Sequence, residues 1–118
     1  MRRLLFALLA SGSVCAAQAA DELALMQRGE EMVMGKCFLC HGATGDSSSP
    51  LYPKLAGQNA AYLLKQLRNF KSGARESNDM RKIVDDMDDD DMHAVAHYFS
   101  QQQPSQGKSA YGEMRAIG

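Results

Sequence analysis

The chain has 118 residues, 45% of them hydrophobic, and a formal charge of −1. That length fits one domain. A balance of 13 basic against 14 acidic residues excludes a nucleic-acid binder, which needs a basic footprint.

Arg2 and Arg3 precede the apolar run "LLFALLA", and small residues ending in "AQA" at 17–19 follow. This is the layout of a Sec-type secretory leader, with cleavage expected after Ala19 and the periplasm as destination. The run is too short for a membrane span. Val14 stands before Cys15, where a lipid-anchored cysteine wants a small residue, so Cys15 is expected to leave with the leader. Without Arg2 and Arg3, 11 basic residues face 14 acidic ones, and the net charge falls near −3. The domain is expected over 20–104, and the polar residues 105–118 read as a mobile tail. A chain of roughly 100 residues buries a modest core and is marginal unless something staples it.

Leu25, Met26, Met32 and Val33 recur at helical spacing through 23–36, with Gly29 between them. The helix runs into "CFLCHG" at 37–42. The Gly-, Ser- and Pro-rich residues 42–59 read as loop. Leu63, Leu64, Leu67 and Phe70 give a second helix from Ala60, stopped near Gly73. "ARESND" reads as a further loop, with Met80 at its end. Asp88 is an N-cap signal, and Met92, Val95, Ala96 and Phe99 form the stripe of a final helix that Pro104 ends. No stretch of any length alternates as a strand does. The expected fold is all-α, with three main helices and long loops.

The Cys37–Cys40–His41 motif admits three chemistries. A thioredoxin-type redox pair needs a strand before it, and a helix stands there instead. Zinc could take Cys37, Cys40, His93 and His97, but the gap between the pairs is far longer than in a finger, and His41 would have no role. Haem uses every residue. Two thiols three apart meet the two vinyl groups at one porphyrin edge, and the adjacent His41 reaches the iron. An exported chain suits this attachment, and one covalent haem c supplies the apolar core that the chain lacks.

The sixth ligand is then sought among methionines and histidines. Met26, Met32 and Met34 are too close to the motif to reach the far face. Met87 and Met92 read as core fillers, and His93 and His97 as helix-surface residues. Met80 lies 39 residues beyond His41, with a helix between them to cross the domain, and is the expected ligand.

Four stretches, "GEEMVMGKCFLCHG", "PKLAGQNAAYLLKQLRNFKSGAR", "NDM" and "DDDDMHAVAHYFS", together resemble bacterial class I cytochromes c. "PKLAGQ" and "AHYFS" are similar to the branch of small single-haem and tandem two-haem periplasmic carriers. The resemblance implies the class I fold and sets Gly29 and Val33 against Val95 and Tyr98. It puts the Pro53 carbonyl on the His41 ring N–H and Met80 on the iron. It implies a monomeric one-electron carrier rather than an enzyme. Its redox partners would be a quinol-oxidising complex or dehydrogenase as donor and a terminal oxidase or reductase as acceptor. Two alternatives stay open: a subunit of a fixed complex, or a sensor or peroxidase-like enzyme if the Met80 bond is labile. Lys54, Arg75, Arg81 and Lys82 are expected in loops around the haem edge. The six aspartates of "DDMDDDD" at 85–91 read as helix capping and solvation, with a docking patch as the sharper alternative.

Overall fold

Helix α1 spans Ser11–Met32 and starts earlier than the apolar periodicity from Leu23 suggests. The reason is propensity: alanines, glutamine and leucine dominate "CAAQAADELAL" and propagate a helix without an apolar stripe. The computed structural model describes residues 11–105, with side chains from residue 14. The apolar run at 4–10 and residues 106–118 of the expected tail lie outside the described residues. The expected cleavage point falls within α1.

The helix widens into a π-helical turn over Val33–Cys37 and continues as α2, Phe38–His41. The Phe38 N–H bonds the Val33 carbonyl, the i→i+5 pattern of a π turn. Along this stretch Val33, Cys37 and His41, each four apart, are all buried.

α3 spans Ala60–Ser72. Asn59 caps it by accepting the Tyr62 N–H at 2.9 Å, and Gly73 ends it in the left-handed conformation. Leu63 and Phe70 face the core. α4, Asn78–Val84, is a two-turn helix capped by Ser77. α5 spans Asp89–Ser100 and opens on a capping box. Asp88 accepts the Asp91 N–H at 2.7 Å, and Asp91 returns the contact to the Asp88 N–H at 3.2 Å. Among the described residues there is no strand, and the fold is all-α as expected.

α5 is the central element. Met92, Val95, Ala96, Tyr98 and Phe99 are buried in one cluster with Val33 of the π turn and Leu63 and Phe70 of α3. Gly29 makes the crossing of α1 and α5 possible. A β-carbon there would lie 2.6 Å from Tyr98 Cβ and closer still to the Ala94 carbonyl oxygen. Of the expected partners Val95 and Tyr98, Tyr98 meets Gly29, and the backbone it meets is that of Ala94, one residue before Val95. The loop after α2 is drawn onto the same helix. The Tyr98 hydroxyl donates to the Ala43 carbonyl at 3.0 Å, and the Gly57 N–H donates to the Phe99 carbonyl at 2.9 Å. Gly45, at φ 78°, leaves room for the Phe99 ring, which a side chain there would strike.

The acidic run is mostly engaged within the fold. Asp86 pairs with Lys36 at 2.7 Å, Asp89 with Arg68 at 2.6 Å, and Asp91 with Arg28 at 2.7 Å. Asp88 both caps α5 and meets Arg28 at 3.4 Å, so four of the six aspartates tie α5 and the turn before it to neighbouring elements. This leaves Asp85 and Asp90 with neither pair nor cap among the described residues.

Two expectations follow. Gly29→Ala forces α1 off α5 and costs about 1–3 kcal/mol, the usual penalty of overpacking; a loss below about 0.5 kcal/mol in chemical denaturation of the haem-loaded protein contradicts this packing. The second concerns acid. The Arg68 guanidinium holds Asp89 below the ordinary aspartate range. A carboxylate with a lowered folded-state pKa adds stability above its unfolded value, near 4, that is lost as pH falls through the folded one. The Tm of Asp89→Asn should therefore lie below that of wild type at neutral pH and converge with it in acid; a gap independent of pH assigns no role to the ion pair.

Candidate haem-binding site

A cavity of about 750 Å³ opens between α2, α3, α4 and α5. Cys37, Cys40 and His41 line it from the motif, and Met80 and Ile83 from α4. Leu63, Leu67 and Phe70 contribute from α3, and Val95, Ala96 and Phe99 from α5.

The motif side is built by the π turn and α2. Cys37 is buried, and burial pushes its thiol up to about 11. Cys40 is exposed, and neither cysteine is in a disulfide. Among the described residues no three His, Cys, Asp or Glu side chains cluster as a metal site. The zinc set of Cys37, Cys40, His93 and His97 is therefore not assembled. His93 is exposed on α5, and His97 Nε2 lies 2.6 Å from the Glu22 carboxylate on α1.

His41 is buried, and its Nδ1 lies 2.9 Å from the Pro53 carbonyl oxygen. A carbonyl only accepts, so Nδ1 carries a proton, and in the neutral ring Nε2 is the nitrogen left to bind a metal. That bond fixes both tautomer and ring orientation, as an outer partner does for metal-bound histidine. The Tyr52 ring adds an edge contact, 6.2 Å between centroids. No local residue pattern announces this contact, because it depends on the path of the loop. Ser47, also buried, donates to the Cys40 carbonyl at 3.2 Å and steadies the end of the motif.

Met80 requires a correction. It is not in an irregular loop but in the first turn of α4, where the Ser77 hydroxyl accepts its N–H at 3.2 Å. Arg81 and Lys82 belong to the same helix rather than to loops. Ser77 followed by Asp79 is a helix-start signal, but the polarity of "ARESND" hides it. Of the methionines weighed as iron ligands, Met80 lines the cavity, whereas Met87 and Met92 are core residues at 1% and 4% exposure.

The residues present fit a haem: a two-thiol edge, an imidazole with a free Nε2, a thioether and apolar walls enclose one cavity. Comparison with known proteins agrees. Residues 26–103 match the cytochrome c family, and the chain belongs to it. It is 44% identical over 71 residues to cytochrome c4 of Pseudomonas aeruginosa, covering 60% of this chain and 35% of that one. It is 33% identical over 78 residues to cytochrome c-554(548) of Halomonas halodenitrificans, covering 64% of this chain and 93% of that one. The crystal structure of reduced recombinant cytochrome c4 from Pseudomonas stutzeri superposes with a TM-score of 0.63 at 39% identity, over 67% of this chain and 46% of the other. The chain thus spans little more than a third of the cytochrome c4 sequence and matches one domain of that tandem protein. As a member of that family it has the class I cytochrome c fold and carries haem c covalently attached.

Proposed function

We propose that the protein is a periplasmic one-electron carrier whose single haem is bonded through Cys37 and Cys40 and ligated by His41 and Met80. One observation carries this reading: His41, Met80 and the cysteine pair line the same cavity, while the other candidate ligands do not. The haem supplies the Fe(II)/Fe(III) couple when bound. The chain's own residues do the rest. His41, oriented by Pro53, offers Nε2; Met80, held by the Ser77 cap, offers its thioether; Leu63, Phe70, Val95 and Phe99 keep water from the walls. With His41 and Met80 both held to its iron, a haem bound here would be disfavoured for oxygen chemistry and favoured for electron transfer, so the protein would act as a carrier and not as an enzyme.

Export is supported by the leader pattern of residues 1–19. The donor is a quinol-oxidising complex or a dehydrogenase, and the acceptor a terminal oxidase or reductase.

Two experiments test this. On a denaturing gel the wild-type band stains for haem, and Cys37→Ala with Cys40→Ala gives a colourless band; a wild-type band that is colourless in a strain competent for haem attachment overturns the covalent reading. The oxidised protein shows a weak sulfur-to-iron charge-transfer band at the red end of its spectrum. Met80→Ala removes the band and lowers the potential, because a thioether ligand raises it. Met87→Leu leaves both unchanged. The reverse pattern transfers the ligand role to Met87.

A further inference from the structure

The helix that carries Met80 is weakly anchored. α4 has seven residues, too few to be stable alone. Val84 is its one fully buried side chain, while Asp79, Arg81 and Lys82 are exposed. What holds its far end is the turn at 85–88. Lys71 of α3 donates to the Met87 carbonyl there and ties the turn to α3; the Arg68–Asp89 pair lies beyond the turn and joins α3 to α5.

A different contact ties it across the cavity. Lys36 sits in the π turn immediately before Cys37, and its side chain lines the cavity. Its ammonium donates to both oxygens of Asp86, at 2.7 and 2.8 Å, two residues past the end of α4. Among the described residues this is the ion pair that joins the cysteine-bearing segment to the Met80-bearing one. Lys36 is 30% exposed and Asp86 71%, so one partner is half sheltered and the other open to solvent.

We propose that the Lys36–Asp86 pair is a clasp that holds α4 closed over the cavity and so sets how readily Met80 leaves the iron. The inference rests on Met80 as axial ligand. Lys36 and Asp86 are positioning residues: neither reaches the iron, and both act through the lie of α4. An exposed pair of this kind shifts such an equilibrium by roughly two- to fivefold. The bare fold needs no such link, since α1 and α3 are already bound to α5 by Gly29, the core cluster and the Arg28 and Arg68 pairs.

The test uses the ferric, haem-loaded protein titrated with imidazole, which competes with the thioether, and follows loss of the charge-transfer band. Lys36→Gln and Asp86→Asn should each tighten apparent imidazole binding by roughly two- to fivefold. The reversed pair, Lys36→Glu with Asp86→Lys, should return affinity toward wild type. Arg68→Gln, which breaks an ion pair on α5 instead, should leave affinity unchanged even where it lowers Tm. Single variants that bind imidazole as wild type does overturn the clasp. So does a reversed pair no better than the singles, or an equal effect from Arg68→Gln. A wild-type ferric protein without the band overturns Met80 ligation itself, a failure distinct from that of the clasp.

Discussion

A cavity of about 750 Å³ lies where a chain of this length would otherwise interlock its side chains. Protein interiors pack to crystal-like density, and an unfilled apolar void forfeits contacts on every wall. The helices here do not close on one another across that space; they close around it. α5 supplies the back wall through Val95, Ala96 and Phe99, α3 a side through Leu63 and Phe70, and α4 and the motif bring Met80 and His41. The haem that the family carries is therefore a structural requirement as much as a redox centre. A chain of this size gains from it the apolar contact area that it cannot provide itself.

The same constraint explains the local devices. The π turn keeps Val33, Cys37 and His41 on the buried side of one continuous helical path, so the attachment motif enters the cavity without a break in the backbone. Gly29 lets α1 lie close enough to α5 for that path to start against the back wall. The Pro53 carbonyl and the Tyr52 edge then hold the His41 ring from the loop side. On the opposite arm a single serine hydroxyl and a short helix carry Met80, with far less support. That asymmetry makes the methionine arm the adjustable half of the site, and it gives the Lys36–Asp86 pair something to regulate.

Much of this was legible before any coordinates. "CFLCHG" announces its chemistry because two thiols and an imidazole must be adjacent in sequence to meet one ligand. α3 and α5 were legible because their apolar residues repeat at three and four. Asp88 marked the start of α5 because capping is a local interaction. The extension of α1, the π turn and α4 were harder. α1 begins in residues with propensity but no stripe, a π turn has no residue signature, and α4 is too short for periodicity to register. The ion pairs were beyond reach. Lys36 with Asp86 and Arg28 with Asp91 join residues 50 and 63 positions apart, and nothing local to either partner names the other. The acidic run therefore read as helix capping and solvation; the cap and the exposure are there, and the partners Lys36, Arg68 and Arg28 are what the sequence leaves unnamed.

The central claim is that the haem completes the core. Its most direct test compares amide hydrogen exchange of the haem-loaded protein with that of the double variant Cys37→Ala, Cys40→Ala. The account expects the haem-free chain to lose protection throughout α3, α4 and α5, including Leu63, Phe70 and Phe99, and to unfold without a cooperative transition. A haem-free chain that keeps native-like protection in those helices and melts cooperatively would contradict it.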